Sequence, residues 1–194
     1  MKILLATNNN DKVKEIKSKL INTGLDIVSP NEIGIYDFEV DETENTLEGN
    51  ALLKAKAFYE KSGLPSISDD TGLFVEQLNG SPGVYSARYA GENASYEDNC
   101  NKLMNELSDS KNRNAVFKTV ICFYEDGNAH KFIGECEGQI IKKTKGTKGF
   151  GYDPIFIPTG YELTFAEMDS NLKNIISHRA KAVDKLINYL KDLV

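Results

Sequence analysis

Ser66-Ile67-Ser68-Asp69-Asp70-Thr71-Gly72 is the stretch around which the rest of the chain can be arranged. Ser66 to Ser68 has the composition of a short buried strand. Gly63 and Pro65 punctuate it on one side, and Thr71-Gly72 is expected to turn the chain on the other. That reading places two adjacent carboxylates at a strand end. Side chains alternate along extended chain, so Asp69 and Asp70 should point to opposite faces, and only one can aim into a given cleft. The same residues would also serve as a solvated turn, with both carboxylates accepting backbone amides.

The totals bound the problem. A chain of 194 residues, 40% hydrophobic and 27% charged, is long enough for one substantial core or two small lobes. No apolar run approaches the ~20 residues that span a bilayer, and Ile3-Leu4-Leu5-Ala6 is too short for a secretory leader, so a cytoplasmic protein without a membrane partner is expected. Three cysteines, Cys100, Cys122 and Cys136, lack paired metal spacing and read as reduced, buried thiols. The formal charge of -6 argues against a nucleic-acid partner, which would need a basic surface.

Working outward, Lys2 to Ala6 reads as a buried strand, and Val13, Ile16 and Leu20 recur at helical spacing. Thr7-Asn8-Asn9-Asn10-Asp11-Lys12 is then a strand-to-helix turn. Free amides, the helix dipole and Lys12 suit a phosphate there, although asparagines that merely cap the helix would look the same. Asp26 to Ser29 is a second strand, and the acidic run from Asp37 to Glu44 reads as a solvated loop. Thr46 to Lys61 is an amphipathic helix stopped by Gly63, presenting Glu48, Asn50 and Lys54. A carboxylate and a lysine on one helix can serve a metal and a phosphate, or form a salt-bridged surface.

Beyond the aspartates, Leu73 to Leu78 looks extended and Asn79 to Gly83 is a sharp turn. Ser95 caps a helix, with Asp98 three residues on. Ala115–Tyr124 and Lys131–Ile141 form an antiparallel hairpin joined at Glu125 to Asn128. Lys145 to Asp153, KGTKGFGYD, allows close backbone approach at its glycines and offers the Phe150 ring; a flexible turn is the plainer alternative. Thr164 and Glu167 form a capping-box pattern for a short helix. A last helix runs from Ser177 to Leu193, with Ser177 as N-cap and His178 and Arg179 in its first turn. A cation there opposes the helix dipole, so Arg179 should face a ligand or a nearby acid.

Taken together and in order, these motifs resemble the inosine triphosphate pyrophosphatase family, which clears aberrant purine nucleoside triphosphates. The resemblance rests on the Thr7 to Lys12 turn, Asn50-Ala51 with Lys54-Ala55, Ser68 to Leu73, Pro82 to Tyr89, Gly149 to Pro154 and Ser177-His178-Arg179. It implies an α/β fold: a long mixed β-sheet flanked by helices, in two lobes with a nucleotide-binding cleft between them, forming one domain over residues 1–194 and a homodimer. It also implies Mg2+-dependent hydrolysis of ITP, dITP and XTP to the monophosphate and pyrophosphate.

Residue by residue, the resemblance makes Thr7, Asn8, Asn9, Asn10, Asp11, Lys12 and Lys54 the triphosphate grip, beside Thr71. Asp70 becomes the catalytic carboxylate and a metal ligand. Phe150 becomes the base-stacking ring, and Gly151, Tyr152, Asp153, Lys173, His178 and Arg179 line the base and ribose pocket. Many relatives carry a glutamate at the position of Gly49, so assigning Glu48 as the second metal ligand departs from the pattern. Arg179, all donor, would suit the oxygen at position 6 of hypoxanthine or xanthine and reject the amino group of adenine. A related pyrophosphatase acting on pyrimidines and a non-catalytic nucleotide-binding module are the other readings; a substrate panel and magnesium-dependent pyrophosphate release separate them.

Overall fold

The structure is a computed structural model that describes residues 1–21 and 23–191. In chain order it contains β1 (Lys2–Leu5), α1 (Asn10–Leu20), β2 (Asp26–Val28), α2 (Leu47–Ser62), β3 (Ser66–Val75), β4 (Pro82–Gly83), α3 (Tyr96–Glu106), β5 (Asn114–Glu125), β6 (Asn128–Ile140), β7 (Phe156–Pro158), α4 (Ser170–Ile176) and α5 (His178–Lys191). The expected end of the last helix at Leu193 lies outside the described residues. The strands form one sheet in the order β2-β1-β3-β5-β6-β7, with β4 alongside β3. β1 runs parallel to β2 and β3, whereas β3–β4 and β6–β7 are antiparallel, so the sheet is mixed as expected. Among the described residues no helix is long and apolar enough to cross a membrane.

Two compact units divide the chain: Met1–Asp70, Thr119–Gly134 and Arg179–Val194 make the first, and Thr71–Lys118 with Glu135–His178 the second. In the first, Ile3 and Leu5 of β1 join Ile67, Ile121 and Phe123 against Ile16 and Leu20 of α1 and Val183, Leu186 and Leu190 of α5. Leu4 and Ala6 face the other way, onto Phe58 of α2. A strand covered on both faces has no polar side to show, which is why β1 reads as an unbroken apolar run. Two serines dock α2 onto β3: Ser66 Oγ donates to the Ala55 carbonyl at 2.6 Å and Ser68 Oγ to that of Ala51 at 2.5 Å. Alanines at those helix positions let the strand come that close.

In the second unit, Leu73, Val75, Phe117, Ile140 and Phe156 pack with Leu103 and Leu107 of α3 and with Phe165. Arg113 clasps three carbonyls here, at the ends of α3 and β6. Its Nε donates to Ile140 O (2.6 Å), Nη1 to Leu107 O (2.5 Å) and Nη2 to Ile141 O (3.0 Å). Arg113→Ala should lower the unfolding free energy by about 3 kcal/mol, since bonds from a charged donor are worth more than neutral ones and the carbonyls would be left unpaired. Arg113→Lys should recover little, because a point charge cannot reproduce a planar fork. Urea melts of the three proteins check this.

Local expectations fare unevenly. Thr46 caps α2 through Gly49 N, Gly63 ends that helix at φ 71°, and Ser95 and Asp98 complete a capping box for α3. The β5–β6 hairpin turns at Asp126-Gly127, with φ 47° and 83°. Thr71-Gly72, however, is no turn: β3 continues through both aspartates to Val75. The glycine serves a close approach, since a Cβ at Gly72 would lie 2.5 Å from the Gly83 carbonyl oxygen. The extended reading of Leu73 to Leu78 holds to Val75, after which Glu76–Leu78 forms a 3-10 turn. Thr164 and Glu167 exchange both capping-box bonds, at 2.9 and 3.2 Å, but close a turn only. The helix begins later, at Ser170, capped by Asp169. Ser177 ends α4 in extended geometry, which separates it from α5.

Candidate active site

The alternation of β3 sends the two aspartates into different company. Both are buried, Asp69 at 1% exposure and Asp70 at 5%. Asp69 Oδ2 lies 3.2 Å from Lys12 Nζ and 3.3 Å from both Nε and Nη2 of Arg179, whose Nη1 also contacts Glu15 at 2.5 Å. Two carboxylates face two cations, so this group is balanced. Burial works against its charge, but Lys12 and Arg179 outweigh it and hold the Asp69 carboxyl below the usual range. Arg179 is likewise opposed by burial and kept charged by Asp69 and Glu15, with its pKa raised. Burial lowers that of Lys12 despite Asp69.

Asp70 has different neighbours. Its Oδ1 is 3.1 Å from Lys54 Nζ, and the same ammonium holds Glu42. Two carboxylates share one cation, leaving one negative charge in excess. Burial and the nearby Glu42 raise the Asp70 pKa against the pull of Lys54. Lys54 itself is disfavoured by burial, yet Asp70 and Glu42 raise its pKa. Asp70 Oδ2 is buried with no hydrogen-bond partner among the described residues.

Glu42 reaches this place because the acidic run, otherwise an exposed loop as expected, is tethered at a few points. Asn8 Nδ2 donates to Phe38 O at 3.0 Å, and the Phe38 ring sits edge-on to Phe58 at 4.9 Å. Val40 packs against the Leu4–Phe58 cluster, and Glu44 N donates to Asn50 Oδ1 at 2.9 Å. Glu48 stands in the first turn of α2. In the turn before α1, Asn9 Oδ1 accepts from Asp11 N and Lys12 N at 2.9 and 3.2 Å, and Asn9 N donates to Thr7 Oγ1 at 3.2 Å. The capping alternative therefore describes Asn9. Asn10 opens the helix exposed, and Lys12 points to Asp69.

The second unit gathers the glycine-rich loop. Asp153 Oδ2 accepts from Phe150 N at 2.9 Å and from Lys173 Nζ at 2.6 Å, and Lys173 lies 5.2 Å from the Phe150 ring centroid. A Cβ at Gly149, where φ is 72°, would fall 2.0 Å from that same Asp153 oxygen, so only glycine permits the arrangement. Gly151 follows at φ 61° and accepts a contact from Cys100 Sγ at 3.4 Å. All three cysteines are buried and none is in a disulfide, and burial pushes the Cys100 thiol up to about 12. Tyr152 is core here, its hydroxyl donating to Ser86 O at 2.9 Å. His178 stacks on Phe117 at 4.4 Å with 10° between planes. Thr71 lies half-buried in β3.

The sequence reading thus brings Lys54 to Asp70 and Lys173 and Phe150 to Asp153. It treats His178 and Arg179 as a pair, whereas His178 packs on aromatic rings and Arg179 on carboxylates. It misses Glu42, Glu15 and the role of Asp69. Only the apolar residues inside the acidic run, Phe38 and Val40, signal that this loop is anchored.

Residues 3–189 match the Ham1 family. The chain is 49% identical to a dITP/XTP pyrophosphatase of Flavobacterium psychrophilum, over 99% of this chain and 100% of that protein. It is 48% identical to one from Thermoanaerobacter pseudethanolicus, over 98% and 96%. The Staphylococcus aureus Ham1 protein superposes with a TM-score of 0.89 at 39% identity, covering 100% of both chains. A HAM1 protein from Coxiella burnetii gives 0.90 at 36%, over 99% of each. With a match across nearly its whole length in sequence and in fold, the chain belongs to the Ham1 family.

Proposed function

We propose that this protein hydrolyses the non-standard purine nucleoside triphosphates ITP, dITP and XTP to the monophosphate and pyrophosphate, with Mg2+ as cofactor, as a cytoplasmic homodimer that binds neither nucleic acid nor membrane. The observation that carries the reading is Asp70: a buried carboxylate with one oxygen committed to Lys54, the other without a hydrogen-bond partner, and a raised pKa. Relatives named dITP/XTP pyrophosphatase, similar over their whole length, support the substrate class.

Asp70 and Glu42 suit magnesium. Both offer hard oxygens, and together with Lys54 they leave one negative charge uncompensated. Among the described residues no group of three or more His, Cys, Asp or Glu could hold a metal. Magnesium needs no such cage, since it usually takes one or two carboxylates and completes its shell with substrate phosphates and water. Glu42 therefore replaces Glu48 as the proposed second ligand. When bound, the ion would neutralise phosphate charge and acidify water.

The remaining work falls to side chains. Asp70 accepts the proton of a water whose oxygen bonds to the α-phosphorus, while the bond to the α–β bridging oxygen breaks and its electron pair leaves with pyrophosphate. A carboxylate with a raised pKa is a better base for this step than an ordinary one. Lys12 and Lys54 stabilise the charge on the leaving group. Asp69 is the fixed counter-charge that orients Lys12. Phe150, held by Asp153 and Lys173, takes the base. Thr7, Asn8, Asn10, Asp11 and Thr71 stay assigned to the phosphates, Asn9 through its cap, and Gly151, Tyr152 and His178 to the walls of the base pocket.

Pyrophosphate release across ITP, dITP, XTP, ATP, GTP and dTTP, with and without magnesium, tests the reading. Release from the first three only with magnesium supports it; orthophosphate as the product, or preference for dTTP, overturns it. Lys12→Ala and Lys54→Ala should each lower kcat/KM by about 10- to 100-fold, the scale of a lost charge-assisted hydrogen bond. The loss should be equal for ITP, dITP and XTP, because every base carries the same phosphates. A selective loss would move the lysine to the base.

A further inference from the structure

We propose that Tyr96 is a second aromatic contact for the base, beside Phe150, and that it governs how tightly substrate is held. The inference rests on the activity proposed above. The Tyr96 ring is 6.0 Å from that of Phe150, with 44° between the planes. That is neither an offset stack nor an edge-to-face pair, the arrangements in which two rings satisfy each other. Tyr96 is also 44% exposed, and of the exposed tyrosines it is the one shown in ring contact with Phe150, the ring expected to stack on a base.

Both residues sit on defined backbone. Phe150 is tied by its amide to Asp153 Oδ2, at 2.9 Å, and backed by Lys173. Tyr96 is the first residue of α3, and its backbone is set by the cap before it: Ser95 N donates to Asp98 Oδ2 at 2.9 Å and Asp98 N to Ser95 Oγ at 3.1 Å. The first helical turn favours acidic side chains, and tyrosine is a middling helix former. Two rings on separate fixed elements, one strongly exposed, provide a surface that a flat purine can lie against without ordering a mobile side chain.

Steady-state kinetics with dITP and XTP test this, together with inhibition by pyrophosphate, a product without a base. Tyr96→Ala should raise KM for both nucleotides about 10-fold, in the range found for loss of one base–aromatic stack. Pyrophosphate inhibition and the melting temperature should stay at wild-type values. Tyr96→Phe, which keeps the ring, should retain the wild-type KM. An unchanged KM in Tyr96→Ala, with the wild type active, overturns the proposal alone; so does a parallel weakening of pyrophosphate, which would mean a general disturbance. A wild type that releases no pyrophosphate from either nucleotide overturns the proposed activity, and this inference with it.

Discussion

Asp70→Asn is expected to abolish turnover, by 10²-fold or more, the scale set by losing a catalytic base. The substitution keeps volume and removes the proton acceptor and one of the two negative charges facing Lys54. The fold should survive, because the remaining Glu42 still balances Lys54. Melting temperature and substrate affinity should therefore stay near wild type while pyrophosphate release disappears. Asp69→Asn is expected to behave differently. It strips Lys12 and Arg179 of a shared buried partner, so stability falls together with activity. If Asp69→Asn kept its melting temperature but lost all turnover, and Asp70→Asn remained active, the two roles would have to be exchanged.

Arg179→Ala is expected to cost about 3 kcal/mol or more of stability, as breaking a buried ion pair generally does. It takes the guanidinium away from both Asp69 and Glu15. Its effect on rate should be equal for ITP and ATP, since each of the three guanidinium nitrogens already donates to one of two carboxylates. This reverses the sequence-based expectation, in which Arg179 reads the oxygen at position 6 and its loss narrows the ITP-to-ATP ratio. Urea melts and paired initial rates decide between them. A collapsed ratio with unchanged stability would restore Arg179 to the base.

What could be read from the sequence follows the range of the interaction. The stop at Gly63, the cap at Ser95 and the turn at Asp126-Gly127 depend on residues within three or four positions of each other, and all were legible. The sheet's mixed character was expected from the family resemblance. The Gly72 error arises from a contact with Gly83, eleven residues away, that no local pattern displays. Thr164 and Glu167 make their bonds, yet no apolar stripe follows close behind to carry a helix. The candidate site fails at the same boundary. Lys54 and Asp70 were named, but Glu42 looked like one acid among many until its loop was anchored by Phe38 on Phe58. Arg179 was placed in the first turn of its helix and expected to face a ligand or a nearby acid, but which acids could not be read, because Asp69 and Glu15 are 110 and 164 residues distant.

The Gly72–Gly83 approach also has a bearing on how β3 finds its pairing. A slip of one residue along β3 would put one aspartate in the other's place, move the second off its cations altogether and reverse every buried face of the strand. Such a slip would present Thr71 or Leu73 to the Gly83 carbonyl, where a Cβ has only 2.5 Å. The hydrogen atom that serves as the Gly72 side chain is thus a gauge: it admits one alignment of the strand and turns away its nearest competitors. An alanine at this position, two residues along the strand from Asp70, should yield a mixture of alignments, visible as doubled backbone amide resonances along residues 66–75.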